Sequence, residues 1–471
     1  MSAHSHSHGA PDDVAPDPAA VARRRTAVRS MLWLIVPVAV ATVAGLVLLW
    51  PHGGQSAAGR AAAQFLPPGT TYPQATIVQL TEQDCTGDAT TGPPQTCATA
   101  VMTVDDGPSA GDTVQVDLSS DVVASGVKVG DELVLNRQVD GDSGQPTYQF
   151  QDFPRGTPIV VLAIVFAVLV GAVARLRGLM SLLGLGFAFV VLLEFMLPAL
   201  LADESPVWVS LVGSAAIMFV VLYLAHGFSA RTTTALVGTL FGLGISAALG
   251  ALAVSVAHLT GFASEETTQL LQFDPTLDFS GLVLAATVVA TLGVLNDVTI
   301  TQASAVWQLH EAAPGTGWRD LFRRGMAIGR DHIASTVYTL VFAYAGAALP
   351  LLLLFEIYQR PFWTVLTGSE VGEEVIRALV GAIALVLAVP VTTVIGALVA
   401  TAATASTAPA EPEPTPEERA AEREAERRRE RLRAMREAAS GNPQTQGFPA
   451  PGGPPAGREL PPLPPRDRPG R

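Results

Sequence analysis

An Asn-Asp pair interrupts an apolar run at residues 295–307, LNDVTITQASAVW, and a trail of hydroxyls and amides follows it. The groups with chemistry to offer are Asn296, Asp297, Thr299, Thr301, Gln302 and Ser304. An ionisable side chain at membrane depth costs about 2.5 to 3.5 kcal/mol on insertion scales, so Asp297 is expected to face the protein interior and to serve a task there. A carboxylate in that position can exchange a proton or hold a cation, and the hydroxyls can supply the neutral oxygen ligands that hard cations prefer. At 3.6 residues per turn Gly293, Asp297, Thr301 and Ser304 share one helix face, with Asn296 and Thr299 flanking it. Gly293, one turn before the carboxylate, leaves room for a second helix or a solute. The competing reading is a polar contact between helices, in which Asp297 merely hydrogen-bonds across a bundle. Arg330 and Asp331, at the start of the next apolar stretch, are the candidate partners. Arg330 reaches Asp297 if the two helices pack as an antiparallel hairpin, and otherwise marks a membrane boundary.

Positioning such a stretch requires a membrane bundle, and the composition agrees. Apolar residues make up 49% of the 471 and charged residues only 15%, and the mean hydropathy is +0.36, the profile of a polytopic membrane protein. Apolar runs lie at about 158–174, 179–200, 207–225, 232–258, 282–307, 333–357 and 375–400, each near the roughly 20 residues that cross a bilayer. An earlier run at 31–50 follows Arg23, Arg24, Arg25 and Arg29 and reads as a signal anchor, its apolar core longer than that of a cleaved signal peptide. The expected fold is therefore mainly α: a polytopic transmembrane helical bundle of about eight spans, with a small extracytoplasmic β-rich domain between the first and second. Arg175 and Arg177, then Arg231, then Arg319, Arg323, Arg324 and Arg330 fall in alternate loops, while Asp203, Glu204, Glu265, Glu266, Asp274 and Asp278 fall in the others. The positive-inside rule then puts both termini in the cytoplasm, and the heavy use of Ala and of Arg over Lys resembles the coding bias of a GC-rich bacterial genome, which makes the expected location a bacterial plasma membrane.

The domain organisation follows from these shifts in texture. Residues 1–30 form a polar tail containing His4, His6 and His8, 31–50 the anchor, and 51–156 the outer domain. In that domain short segments of period two, such as 113–118, alternate with Gly, Pro and Asp, the pattern of a small open barrel or sandwich. Cys85 and Cys97 both lie there, where an oxidising compartment permits a disulfide. The acidic stretch 140–144 lacks the terminal Glu of a calcium loop and reads as a turn. The seven-helix bundle occupies 157–402, and 403–471 is a charged, Pro-rich cytoplasmic tail expected to lack fixed structure.

Several chemistries are excluded or unsupported. Lys128 is the only lysine, which removes both a Walker-type phosphate loop and an intramembrane Schiff base. His310-Glu311 has Pro314 where a zinc protease needs its second histidine. With a formal net charge of −13, nucleic acid is not an expected partner. No enzyme, cofactor or metal centre is expected; the partners are the lipid bilayer and an ion or small solute, and a homo-oligomer is compatible with the pattern. Glu194, Glu356, His226 and His258 stand at span ends, where an interfacial position accounts for them. Gly238, Gly242 and Ser246 repeat every four residues, the small-xxx-small pattern of close helix packing. Pro198, Pro350 and Pro390 are expected to end or kink their helices.

Three strings carry a family likeness. The stretch 295–307, the stretch 325–355 (GMAIGRDHIASTVYTLVFAYAGAALPLLLLF) and AHGFSARTTTALVGTL at 225–240 together resemble the YibE/F family of bacterial membrane proteins. The resemblance covers the bundle and the preceding β domain and leaves out both tails. It implies a multi-pass membrane fold for which transport is the common supposition, and it transfers no catalytic residue.

Overall fold

The computed structural model describes residues 33, 35–51, 69–85, 95–139, 144–404 and six helical positions between 424 and 435. The readings of the N-terminal tail with its histidines and arginines, of the acidic stretch 140–143, and of the Pro-rich end of the tail lie outside the described residues. Residues 408–471 form a unit of their own.

A short apolar helix α1 (Ile35–Leu48) precedes the sheet. Five antiparallel strands follow, β1 (Gln74–Asp84), β2 (Thr96–Val104), β3 (Thr113–Leu118), β4 (Glu132–Val139) and β5 (Pro146–Asp152), with a five-residue helix α2 (Ser120–Ala124) between β3 and β4. The sheet order is β3-β2-β1-β4-β5, and the edge strands β3 and β5 approach each other, so the sheet curls into a partly open Greek-key barrel. Period-two alternation builds its core: Ala98, Ala100, Met102 and Val104 of β2 point inward with Val116 and Leu118 of β3 and Leu133 and Leu135 of β4. A register shift between Ile77 and Gln79 lets β1 bend into the barrel. Cys85 and Cys97 are joined by a disulfide across the β1–β2 connection.

The described residues after the barrel are largely helical. α3 (Gly156–Val191) continues through a π turn at Leu192–Met196 into α4 (Leu197–Leu201), a 46-residue stretch that would measure about 69 Å if straight. That is over twice the roughly 30 Å hydrocarbon layer. The chain resolves the mismatch at Arg175, whose φ of 54° and ψ of −139° leave the helix. A Cβ built on Gly178 would stand 2.6 Å from the carbonyl oxygen of Val170, eight residues earlier, so the chain doubles back between Arg175 and Gly178. Then come α5 (Pro206–His226), α6 (Ala230–Val256), α7 (Glu265–Phe273), α8 (Phe279–Ala312), α9 (Trp318–Ala347), α10 (Leu349–Ile357), α11 (Phe362–Leu366) and α12 (Ser369–Thr404). Local chemistry sets their ends: Ser229 caps α6 through Thr232, Ser264 and Thr267 form a reciprocal box at α7, and Asp278 accepts from Gly281 at α8.

Among the described residues five helices, counting 156–201 once, are long and apolar enough to cross a membrane, and the pair α9–α10, bent by 62°, makes a sixth if it is one span. The expected seventh span begins at 333, whereas α9 already begins at Trp318; its first turns carry Arg319, Arg323 and Arg324, and hydropathy does not register so charged a start. Pro350 stands in the first turn of α10 at the bend, while Pro390 lies inside α12 without ending it. α8 is the central helix, in contact with α5, α6, α9 and α12.

Candidate functional site

Two faces of α8 carry polar groups, and they do different things. The covered face presents Thr291, Leu295, Val298, Thr299, Gln302 and Val306, all buried. Thr291 donates to the carbonyl of Thr287 at 2.7 Å and accepts from Ser246 of α6 at 3.2 Å. Thr299 lies 2.6 Å from the hydroxyl of Thr239 on α6. Thr239 also reaches the Ala235 carbonyl at 3.0 Å and Thr299 the Asn296 carbonyl at 3.3 Å, so either hydroxyl can donate in that pair. Gln302, 2% exposed, donates through Nε2 to the carbonyl of Gly325 on α9 at 2.9 Å and to Thr393 on α12 at 2.8 Å. Thr393 in turn donates to the Val389 carbonyl at 2.6 Å. These bonds run along about three turns of α8 and tie four helices together.

Small residues permit this approach. Gly238 faces Thr392 and Thr299, and Gly242 faces Leu295 and Ala388, so the stripe of small residues on α6 is the seat of α8 and α12. Gly325 and Gly329 do the same for α9: a Cβ on Gly329 would come within 2.8 Å of Val389 and 3.1 Å of the Gln302 amide.

On the opposite face of α8, Gly293, Asp297 and Thr301 are exposed and Ser304 is half-buried. The expectation that Asp297 points to the interior is therefore not met. The reason is packing: the wide contact face of α8 is taken by threonines, Gln302 and apolar groups against α5, α6 and α12, and only α9 approaches the other side. Thr301 donates to the Asp297 carbonyl at 2.6 Å and lies 3.3 Å from Nε2 of His332 on α9. With the Thr301 proton so engaged, His332 is the donor and carries its proton on Nε2. Asn296, between the two faces, is half-buried, and its Oδ1 is buried with no hydrogen-bond partner.

The residues singled out in the sequence thus divide. Thr299 and Gln302 belong to the covered face, Asp297, Thr301 and Ser304 to the open one, and two residues of separation place Thr299 and Thr301 about 200° apart around the axis. They cannot ligate one ion together. Arg330 and Asp331 are exposed, and among the described residues no ion pair joins Arg330 to Asp297. Leu321, Gly325 and Gly329 form the buried side of α9, and the next position on that side is His332 rather than Arg330. Among the described residues no three His, Cys, Asp or Glu are grouped to hold a metal.

Sequence reasoning passed over Thr239, Thr291 and His332, and also Glu373 near the start of α12. Glu373 is 6% exposed and accepts from the backbone N–H of Gly261 at 3.2 Å, which fastens the loop after α6 to α12. The available signal for the threonines was spacing: Thr287, Thr291 and Thr299 recur at four and eight residues on one face.

A family model described as YibE/F-like protein matches residues 162–402, the whole region that holds both faces of α8. No curated protein and no solved structure matches the chain.

Proposed function

Because the chain belongs to the YibE/F-like family and its apolar helices make it a multi-pass membrane protein, we propose that it is a secondary transporter or channel-like protein for an ion or small polar solute. One observation carries this reading: the central membrane helix is polar on both sides, bonded and closed on one, open with a carboxylate on the other. A carboxylate left uncovered at membrane depth is costly unless water or a solute reaches it. α9 and α10 form a broken span bent by 62°, and only the first half of α9 is anchored, through Leu321, Gly325 and Gly329. Broken helices beside a midplane polar site are the recurrent architecture of secondary transporters. In this reading Asp297 exchanges a proton or holds a cation, and Thr301 and His332 form the seam that α9 opens and closes. The protein resides in the bacterial plasma membrane with both termini inside, following the arginine-rich loops. Reconstituted into vesicles, the Asp297→Asn protein should insert normally and lose ion- or proton-coupled flux. Flux at the wild-type rate in that variant would remove the coupling role.

A second reading, an envelope sensor or scaffold, is favoured by the self-contained barrel with its own core and disulfide. Deleting 64–153 separates the two, since a transporter with an accessory domain retains flux and a sensor loses its function altogether.

A further inference from the structure

The sharp turn inside α3 and the turn between α5 and α6 come together at one end of the bundle. Their register is fixed by two contacts: Gly184 packs on Val221, and Met196 packs on Gly213. The second half of α3 therefore runs antiparallel to α5, and stepping from Gly184 back to Arg177 leads along α5 from Val221 to the level of His226 and Phe228. Arg177 and Arg231 both act electrostatically on His226, and no carboxylate is among the groups that do. Neither arginine forms an ion pair among the described residues. The Nε of Arg231 is buried and lacks a hydrogen-bond partner among the described residues, a costly state for a charged donor.

The surroundings hold the cluster in place. Gly227 turns the chain with a φ of 75°, Tyr223 bonds Thr233 at 3.1 Å, and Phe228 stacks on Tyr223 with ring centroids 4.6 Å apart. Around these turns stand apolar side chains that the described residues leave largely exposed: Val173 is 83% exposed, Leu176 73% and Phe228 88%. Uncompensated cations next to bare apolar surface match a ligand that has an anionic head and apolar tails.

We propose that Arg177, His226 and Arg231 form a binding site for the phosphate headgroup of an anionic membrane phospholipid, whose acyl chains lie along the exposed face of α3 beside Phe228. Basic pockets between membrane helices hold such headgroups, and a guanidinium is suited to phosphate oxygens by its fork of donors. The lipid offsets the charge of the two guanidinium groups and fixes the α3 turn against the α5–α6 turn.

The test uses the full-length protein in neutral detergent, titrated separately with phosphatidylglycerol, phosphatidylcholine and inorganic phosphate, with retained lipid read by native mass spectrometry and the unfolding midpoint read in parallel. Phosphatidylglycerol should be retained and should raise the midpoint, whereas phosphatidylcholine and inorganic phosphate at the same concentration should do neither. Arg177→Gln and Arg231→Gln should each weaken phosphatidylglycerol binding by roughly fivefold, and Arg324→Gln, which removes the same charge from α9, should leave it unchanged. Arg177 is exposed, so its variant tests the site even if the Arg231 change impairs folding. Equal retention of both lipids, the same midpoint shift with inorganic phosphate, or wild-type binding in Arg177→Gln would overturn the proposal.

Discussion

The amide of Gln302 grips Thr393 at 2.8 Å while also holding the carbonyl of Gly325 at 2.9 Å, so one side chain of α8 joins α9 to α12. In a bundle where lipid tails are as apolar as the helix surfaces, association depends on such bonds and on close packing. Replacing Gln302 by Leu keeps the volume but leaves the Gly325 carbonyl without that donor. The expected cost is about 1 to 3 kcal/mol, seen as a lower unfolding midpoint in detergent; an unchanged midpoint would show that the bond contributes nothing.

Glycines on these helices should respond oppositely to one substitution. Gly329→Ala brings a methyl to 2.8 Å from Val389 and 3.1 Å from Gln302, and so pushes α9 outward. Gly293 has nothing within 4 Å of a built Cβ, and Gly293→Ala should gain up to about 1 kcal/mol from helix propensity. Thermal unfolding of the two single variants gives the comparison, and shifts of the same sign would contradict the packing described.

Much of this architecture was legible and some of it was not, for physical reasons. Apolar runs marked the membrane helices, and the Arg175 and Arg177 pair marked the break in α3, because charge and hydropathy are properties of composition. Which side of α8 is covered was not legible. Helical spacing grouped Asp297 with Thr301 and Ser304, but it cannot tell which face meets protein. The covered face hid itself, since Thr287 and Thr291 return their hydroxyls to carbonyls four residues back and thereby pack like apolar residues. The start of α9 escaped for the converse reason: fifteen residues before the expected 333, its arginines on one side and its Gly325 and Gly329 on the other form a helix that a hydropathy window passes over.

The contact between Thr301 and His332, at 3.3 Å, is a polar bond between the open face of α8 and α9. A double-mutant cycle with Thr301→Val and His332→Leu should give a coupling of about 0.5 to 1.5 kcal/mol in unfolding free energy. If the seam also moves during transport, each single variant should alter flux while Asp297 is intact. Strict additivity in stability together with wild-type flux would reduce the bond to an incidental contact.

Glu373 offers a last discrimination, between charge and hydrogen bonding at a buried carboxylate. It receives the Gly261 N–H at 3.2 Å, and Gly261, with a φ of 77°, packs so tightly on Phe279 that a Cβ there would meet its backbone carbonyl. The loop cannot shift to find another acceptor without breaking that contact. Glu373→Ala therefore leaves a buried N–H unmet and should cost about 1 to 3 kcal/mol, whereas Glu373→Gln keeps an acceptor oxygen and should cost much less. The neighbouring Arg377 already has Glu374 at 2.6 Å, so losing the Glu373 charge does not strand it. Equal destabilisation by both variants would mean that the negative charge, rather than the bond to Gly261, is what this corner of the bundle needs.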